Sequence, residues 1–110
     1  MKLPNAEHAV VELQKLEDYC LNPAHPRGKH KARVFANALG ICRADARELR
    51  ERILKEILVR DCECRESDAY GSRYIVDMTW LRQGRAATVR TTWIVKRGEH
   101  VPRLTSCYVL

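Results

Sequence analysis

The hydrophobic repeat of this 110-residue chain changes once, near Val59, and that change constrains the fold more than any other feature. Before it, apolar residues recur at helical spacing; after it, they alternate. Ala9, Leu13, Leu16 and Cys20 define a first helix that Asn22-Pro23 ends. A second begins near Gly28 or Lys29, carries Phe35, Ala38 and Leu39, and stops at Gly40. A third opens at Asp45, with Glu48 as its capping-box partner, and turns Leu49, Ile53, Leu54, Ile57 and Leu58 inward. Past Val59 come "VRDCECRE", "RYIVDMTWL", "AATVRTTWIVK" and "RLTSCYVL", separated by the turns "DAYGS", "RQGR" and "RGEHVP". Turns this short join antiparallel neighbours, so the strands form a meander. The predicted class is α+β: three N-terminal helices packed on a four-stranded antiparallel meander sheet. Residues 1–110 read as a single domain, with the helical part at about 5–58 and the sheet at about 59–110.

Alternation also sorts the sheet faces. Ala87, Val89, Thr91, Trp93 and Val95 share one face with Tyr74, Val76, Met78 and Trp80, which places both tryptophans in the core. Arg73, Asp77, Thr79, Arg90, Thr92, Arg103 and Thr105 gather on the other face, either as a binding patch or as the ordinary polar face of a one-sided sheet. In the last strand, Arg103, Thr105 and Cys107 oppose Leu104, Ser106 and Tyr108. Arg103, at a strand start, is placed to pair with an acid such as Asp77.

The formal charge is +6, which suits a polyanionic or acidic partner. It is unevenly distributed. Arg27, Lys29, Lys31 and Arg33 stand together without an acid, and from Arg82 to Arg103 six basic residues face one acid, Glu99. Between Arg43 and Arg60 the pairs Glu48/Arg52, Glu51/Lys55 and Glu56/Arg60 sit four apart, the arrangement of a solvated helix surface. The two acid-poor stretches are the candidate anion surfaces.

"NPAHPRGKHKARVF" holds two of the four histidines, and its prolines and glycine stiffen the approach to a helix N-terminus. Such an end offers free N–H groups and a positive dipole to a phosphate. Cleavage of RNA by its own 2′-hydroxyl needs a base, an acid and cations around phosphorus. A histidine near pKa 6.5 fills either proton role at neutral pH. His25 and His30 are therefore the candidate proton-transfer groups, although His25 is equally suited to bonding its own turn. His8 and His100 read as surface residues.

Together, "NPAHPRGKHKARVF", "AYGSRYIVD", "ATVRTTWIV" and "PRLTSCYVL" resemble an uncharacterised bacterial domain family with the pattern Asn-Pro-x-His-Pro-x-Gly-Lys-x-Lys-Ala-x-x-Phe, Thr-x-Trp-Ile-Val and Pro-Arg-Leu-x-Thr-x-Tyr. Similar domains occur in toxin-like settings, beside a gene for a small β-rich protein. The resemblance implies a bacterial toxin held by a β-rich antitoxin-like partner. The order of elements also resembles the ribonuclease toxin group of barnase, EndoU-type enzymes, colicin nucleases and RelE, which cut RNA without a metal. That likeness assigns His25, Lys29, His30 and Lys31 to one half of a site and Arg90, Arg103, Thr105 and Tyr108 to the other. The expected catalytic residues are then His25, His30, Arg103 and Thr105. Arg27, Lys29, Lys31, Arg33 and Arg90 bind RNA, and no cofactor is needed. Barnase uses a glutamate base, which has no match here. The alternative function is a non-catalytic nucleic-acid- or protein-binding module, such as the regulatory half of a two-protein system.

Other classes are set aside. Cys62-x-Cys64 lacks the second ligand cluster of a structural zinc site, and alternation makes the pair small buried residues. No Gly-rich phosphate loop or Gly-x-Ser-x-Gly elbow is present. No apolar run approaches the ~20 residues of a membrane span. "MKLPNAEHAVVEL" is interrupted by acids and a proline where a secretory signal is unbroken. A cytoplasmic protein with free thiols is expected.

Overall fold

The computed structural model describes residues 1–110, and the change of period at Val59 is the seam between its two layers. Three helices precede it: α1 (Leu13–Lys15), which runs into a π-helical turn at Leu16–Cys20, α2 (Lys29–Leu39) and α3 (Ala46–Glu56). Four strands follow: β1 (Glu63–Asp68), β2 (Gly71–Arg82), β3 (Arg85–Lys96) and β4 (Arg103–Val109). They lie in sequence order, every neighbour antiparallel. The α+β meander expected from the sequence is the fold.

Burial explains the packing. Leu16, Phe35, Leu39, Leu49, Ile53 and Ile57 leave the helical layer to meet Val76, Met78, Trp80, Val89 and Trp93 from the sheet. All of these are at most 4% exposed. The core is not wholly apolar. Thr91 is 1% exposed. Its hydroxyl donates to the Val76 carbonyl at 2.7 Å and accepts the Trp93 indole N–H at 2.8 Å. A buried N–H left without an acceptor costs more than the bond itself contributes, so this network fixes the Trp93 ring. The β2–β3 hairpin closes through Gln83 and Gly84 at φ 51° and 80°, the mirror-image turn that matches strand twist.

Several expectations are corrected. Ala9 is extended, at φ −56° and ψ 143°, and the first helix begins only at Leu13. Val10 is instead drawn beside β4: its N–H donates to Pro102 O, and Leu104 N–H donates to Val10 O. The capping box sits one turn earlier than Asp45/Glu48. Asp45 Oδ2 accepts the Cys42 N–H at 2.9 Å, and Glu48 turns away to Arg82. Leu58 lies past the end of α3 and is exposed. Cys64 is exposed, because β1 is an edge strand with all six residues in solvent, whereas Cys62, just before it, is half-buried against the core. Its charged side chains block pairing with a further strand. In β4 the simple alternation fails. Thr92 pairs with Ser106 and Trp93 with Leu104, so Thr105 is bulged out and both Leu104 and Cys107 face the core. All five cysteines are free. No helix is long and apolar enough to cross a membrane.

Candidate functional site

The turn before α2 is built around His25. Helix starts leave N–H groups without partners, and here His25 Nδ1 accepts from both Arg27 N–H at 3.0 Å and Gly28 N–H at 2.9 Å. Asn22 Oδ1 accepts the Ala24 N–H at 2.9 Å in the same turn. The His25 ring stands edge-on to Tyr19, with centroids 4.9 Å apart. Accepting at Nδ1 puts the proton of the neutral ring on Nε2. Gly28 is needed for closeness, since a Cβ there would overlap the Tyr19 carbonyl. His25 is thus committed to closing the turn.

His30, one turn on, is exposed, and it shares a groove of about 360 Å³ with Lys31, Val34, Tyr108 and Val109. The groove lies between α2 and β4. Lys31 Nζ donates to the Tyr19 hydroxyl at 2.6 Å and stands 4.7 Å from the Tyr19 ring centroid and 5.8 Å from that of Tyr108. Tyr108 is opposite Arg90 in the β3–β4 register. Arg90 is gripped by Asp77 through two bonds, 2.9 and 3.0 Å. That bond, more than any other contact, pushes the guanidinium pKa further up, and a smaller part comes from Tyr108. The result is a continuous polar line, Asp77–Arg90–Tyr108–Lys31–Tyr19, with His30 beside it.

The other expected site residues fall elsewhere. Thr105, on the bulge, is hydrogen-bonded to Thr92 with their Oγ1 atoms 2.6 Å apart. Arg103 pairs with Ile94, four residues along β3 from Arg90, or about 13 Å away at strand rise. It donates to Glu99 at 3.2 Å; the acid foreseen for it, Asp77, holds Arg90 instead. The structure therefore brings His30, Lys31 and Arg90 toward one place, holds His25 at its margin against Tyr19, and leaves Arg103 outside it.

The two basic stretches also differ. Arg27, Lys29 and Arg33 project into solvent with no carboxylate in ion-pair range. In the sheet, Arg73, Arg82, Arg90 and Arg103 each meet an acid. Arg82 is a clamp, its side chain only 10% exposed. It forks onto Glu48 at 2.8 and 3.1 Å and also donates to the carbonyls of Leu39 and Gly40. Those are free carbonyls at the end of α2, so one guanidinium ties the helix terminus to the start of α3.

Tyr19, which holds the groove's Lys31 in place, is the residue that sequence reasoning missed. It lies in the first helical segment, and no spacing rule connects it with Lys31. A model of a family described as a domain of unknown function (DUF6883) matches residues 2–110. No curated protein and no solved structure matches the chain.

Proposed function

The chain belongs to the DUF6883 family, and we propose that it is a toxin-like, metal-independent ribonuclease. In this reading it acts in the bacterial cytoplasm and is restrained by a small β-rich antitoxin-like protein. The observation that carries the proposal is the groove in which His30 and Lys31 from α2 meet Tyr108 from β4, with Arg90 behind Tyr108. His30 takes the proton of the RNA 2′-hydroxyl as its oxygen attacks phosphorus. Tyr108 delivers a proton to the leaving 5′-oxygen as the P–O5′ bond breaks, which leaves a 2′,3′-cyclic phosphate. Lys31 and Arg90 carry the charge that builds on the phosphoryl oxygens. Asp77 and Tyr19 fix those two cations in place, so no reorganisation is needed at the moment of reaction. Arg27, Lys29 and Arg33 hold the flanking backbone.

The test is cleavage of a labelled RNA by purified protein, with and without EDTA, across pH 5 to 9. His30→Ala is expected to slow cutting by about 10²–10⁴-fold with the fold intact. EDTA is expected to change nothing. A second reading, an RNA-binding module without catalysis, is favoured by the three unpaired cations and by the commitment of His25 to its turn. Wild-type protein that binds RNA and never cuts it when free of its partner decides for that second reading.

A further inference from the structure

Clefts on this molecule differ in the charge that lines them. The largest, about 460 Å³, sets Arg47 and Arg50 beside Glu12 and Glu51. The smallest, about 180 Å³, sets Arg52 and Lys55 beside Glu48 and Glu51. Both are self-neutralised. The two clefts without a carboxylate lie on opposite sides of α2: the His30 groove, and one of about 370 Å³ between α2 and the turns at Pro23 and Cys42–Ala44.

The second of these combines two properties. Its floor is apolar, formed by Leu21, Pro23, Ala32, Ala36 and Ala44. The alanines at 32 and 36 are one helical turn apart on a single face of α2, and with no side chain beyond Cβ they leave flat space. Its rim carries Lys29 and Arg33 from the same face, neither with an acidic partner, and Arg43, which is already tied to Asp18. A flat apolar floor with two free cations on one edge fits a planar apolar group joined to an anion. The volume falls within the range of small-ligand sites.

We propose that this cleft is a nucleotide subsite that takes a base on the alanine floor and the attached phosphate on Lys29 and Arg33. The inference rests on the reading of RNA as the ligand and adds a location to it. An RNA strand whose scissile phosphate sits in the His30 groove crosses the α2 ridge and seats a neighbouring base on the far side. The two acid-free clefts then act as consecutive subsites of one track, with the exposed N-terminal turn of α2 between them.

The experiment uses the full ¹⁵N-labelled chain, titrated separately with 5′-AMP, ribose 5-phosphate and inorganic phosphate. AMP is expected to move the amides of Ala32, Ala36 and Ala44 and to bind at least tenfold more tightly than ribose 5-phosphate. Lys29→Gln and Arg33→Gln are each expected to weaken AMP about tenfold, the value of a lost charge-assisted bond. Ala36→Leu, which fills the floor, is expected to weaken AMP while sparing inorganic phosphate. The spectra report directly that each variant is folded. Equal affinity for AMP and ribose 5-phosphate, or AMP shifts confined to Lys31, Val34 and Tyr108, overturns the proposal. So does tighter binding of a glutamate-rich peptide to the same amides, which assigns the cleft to an acidic protein partner. Cutting is assayed on the same samples: AMP bound here without cleavage keeps the subsite and removes the enzyme, and cleavage without AMP shifts does the reverse.

Discussion

The α2 segment and the sheet are both rich in basic side chains, yet they use them in opposite ways. Arg73, Arg82, Arg90 and Arg103 in the strands each find a carboxylate, Arg82 and Arg90 with two-pronged bonds, and only Arg85 and Lys96, at the two ends of β3, do not. Arg27, Lys29 and Arg33 find none. A paired arginine serves the fold and offers a ligand only the donors its carboxylate leaves open, as Arg90 does with Nη1, whereas an unpaired one keeps its whole field for an incoming anion. Positive charge counted along a sequence is therefore a poor guide to an anion surface until the pairing is known.

The sharpest way to break this contrast is to remove the unpaired set. The triple variant Arg27→Gln, Lys29→Gln, Arg33→Gln is expected to lose RNA affinity by about tenfold per cation. Its salt slope is expected to fall by about two units, at roughly 0.7 per lost contact on a single strand. Melting temperature should stay where it is. Filter binding at several salt concentrations reads both quantities, and an unchanged slope would mean that the RNA does not touch this loop.

Arg82→Gln tests the other half of the contrast. It frees two helix-end carbonyls and a carboxylate at once, so a loss of about 2 kcal/mol in urea unfolding is expected, discounted because Glu48 is half in solvent. RNA binding should be unaffected. This clamp also predicts a pH dependence. The Arg82 hydrogen bond holds Glu48 below its ordinary pKa of 4.5, and the Cys42 N–H holds Asp45 below 3.8. Carboxylates more acidic in the fold than in the unfolded chain bind fewer protons when folded. Their contribution is complete above about pH 4.5 and drains away as pH falls through the depressed values. Urea midpoints measured from pH 7 to pH 3 should show this acid loss in the wild type, with the Glu48 share missing in Arg82→Gln.

Within the sheet, Thr91→Val keeps the shape and removes the hydroxyl. Trp93 Nε1–H then lacks its acceptor in the core, which should cost about 1–3 kcal/mol. Thermal melts read the loss. A neutral outcome would mean that water or a shifted ring replaces the bond.

The smallest effect is expected at Arg103. Its ion pair with Glu99 is exposed, so Arg103→Gln should change stability by no more than about 0.5 kcal/mol. At about 13 Å from Arg90 along the strands, it should also change RNA cutting by less than about tenfold. A larger loss of cutting would extend the site along β3 and β4 as far as this residue.

Much of the fold was readable because it depends on local periodicity. The stripe Phe35–Leu39 and the run Val76, Met78, Trp80 were each assigned the correct face, and Gly40 stands beyond α2 at φ 66° as a stop signal does. The site was less readable. His25 and His30 are alike to a sequence reader, five residues apart in one basic loop. Whether an imidazole caps a turn or faces a groove depends on where Gly28 passes Tyr19, and that is a tertiary contact.

The sequence by itself therefore determined the class of structure: helical period before Val59, alternation after it, and turns too short for anything but a meander. Those are nearest-neighbour properties of the chain, set by side-chain geometry over a few residues. Tertiary structure alone decided which charges cancel and which groups meet. A bulge at Thr105 reversed the faces within β4, Glu48 left its own helix for Arg82, and Lys31 reached across to Tyr19. Each of those choices is made between residues 11 or more apart in the chain, where the energy of pairing depends on distance in space and carries no trace in the spacing of the sequence.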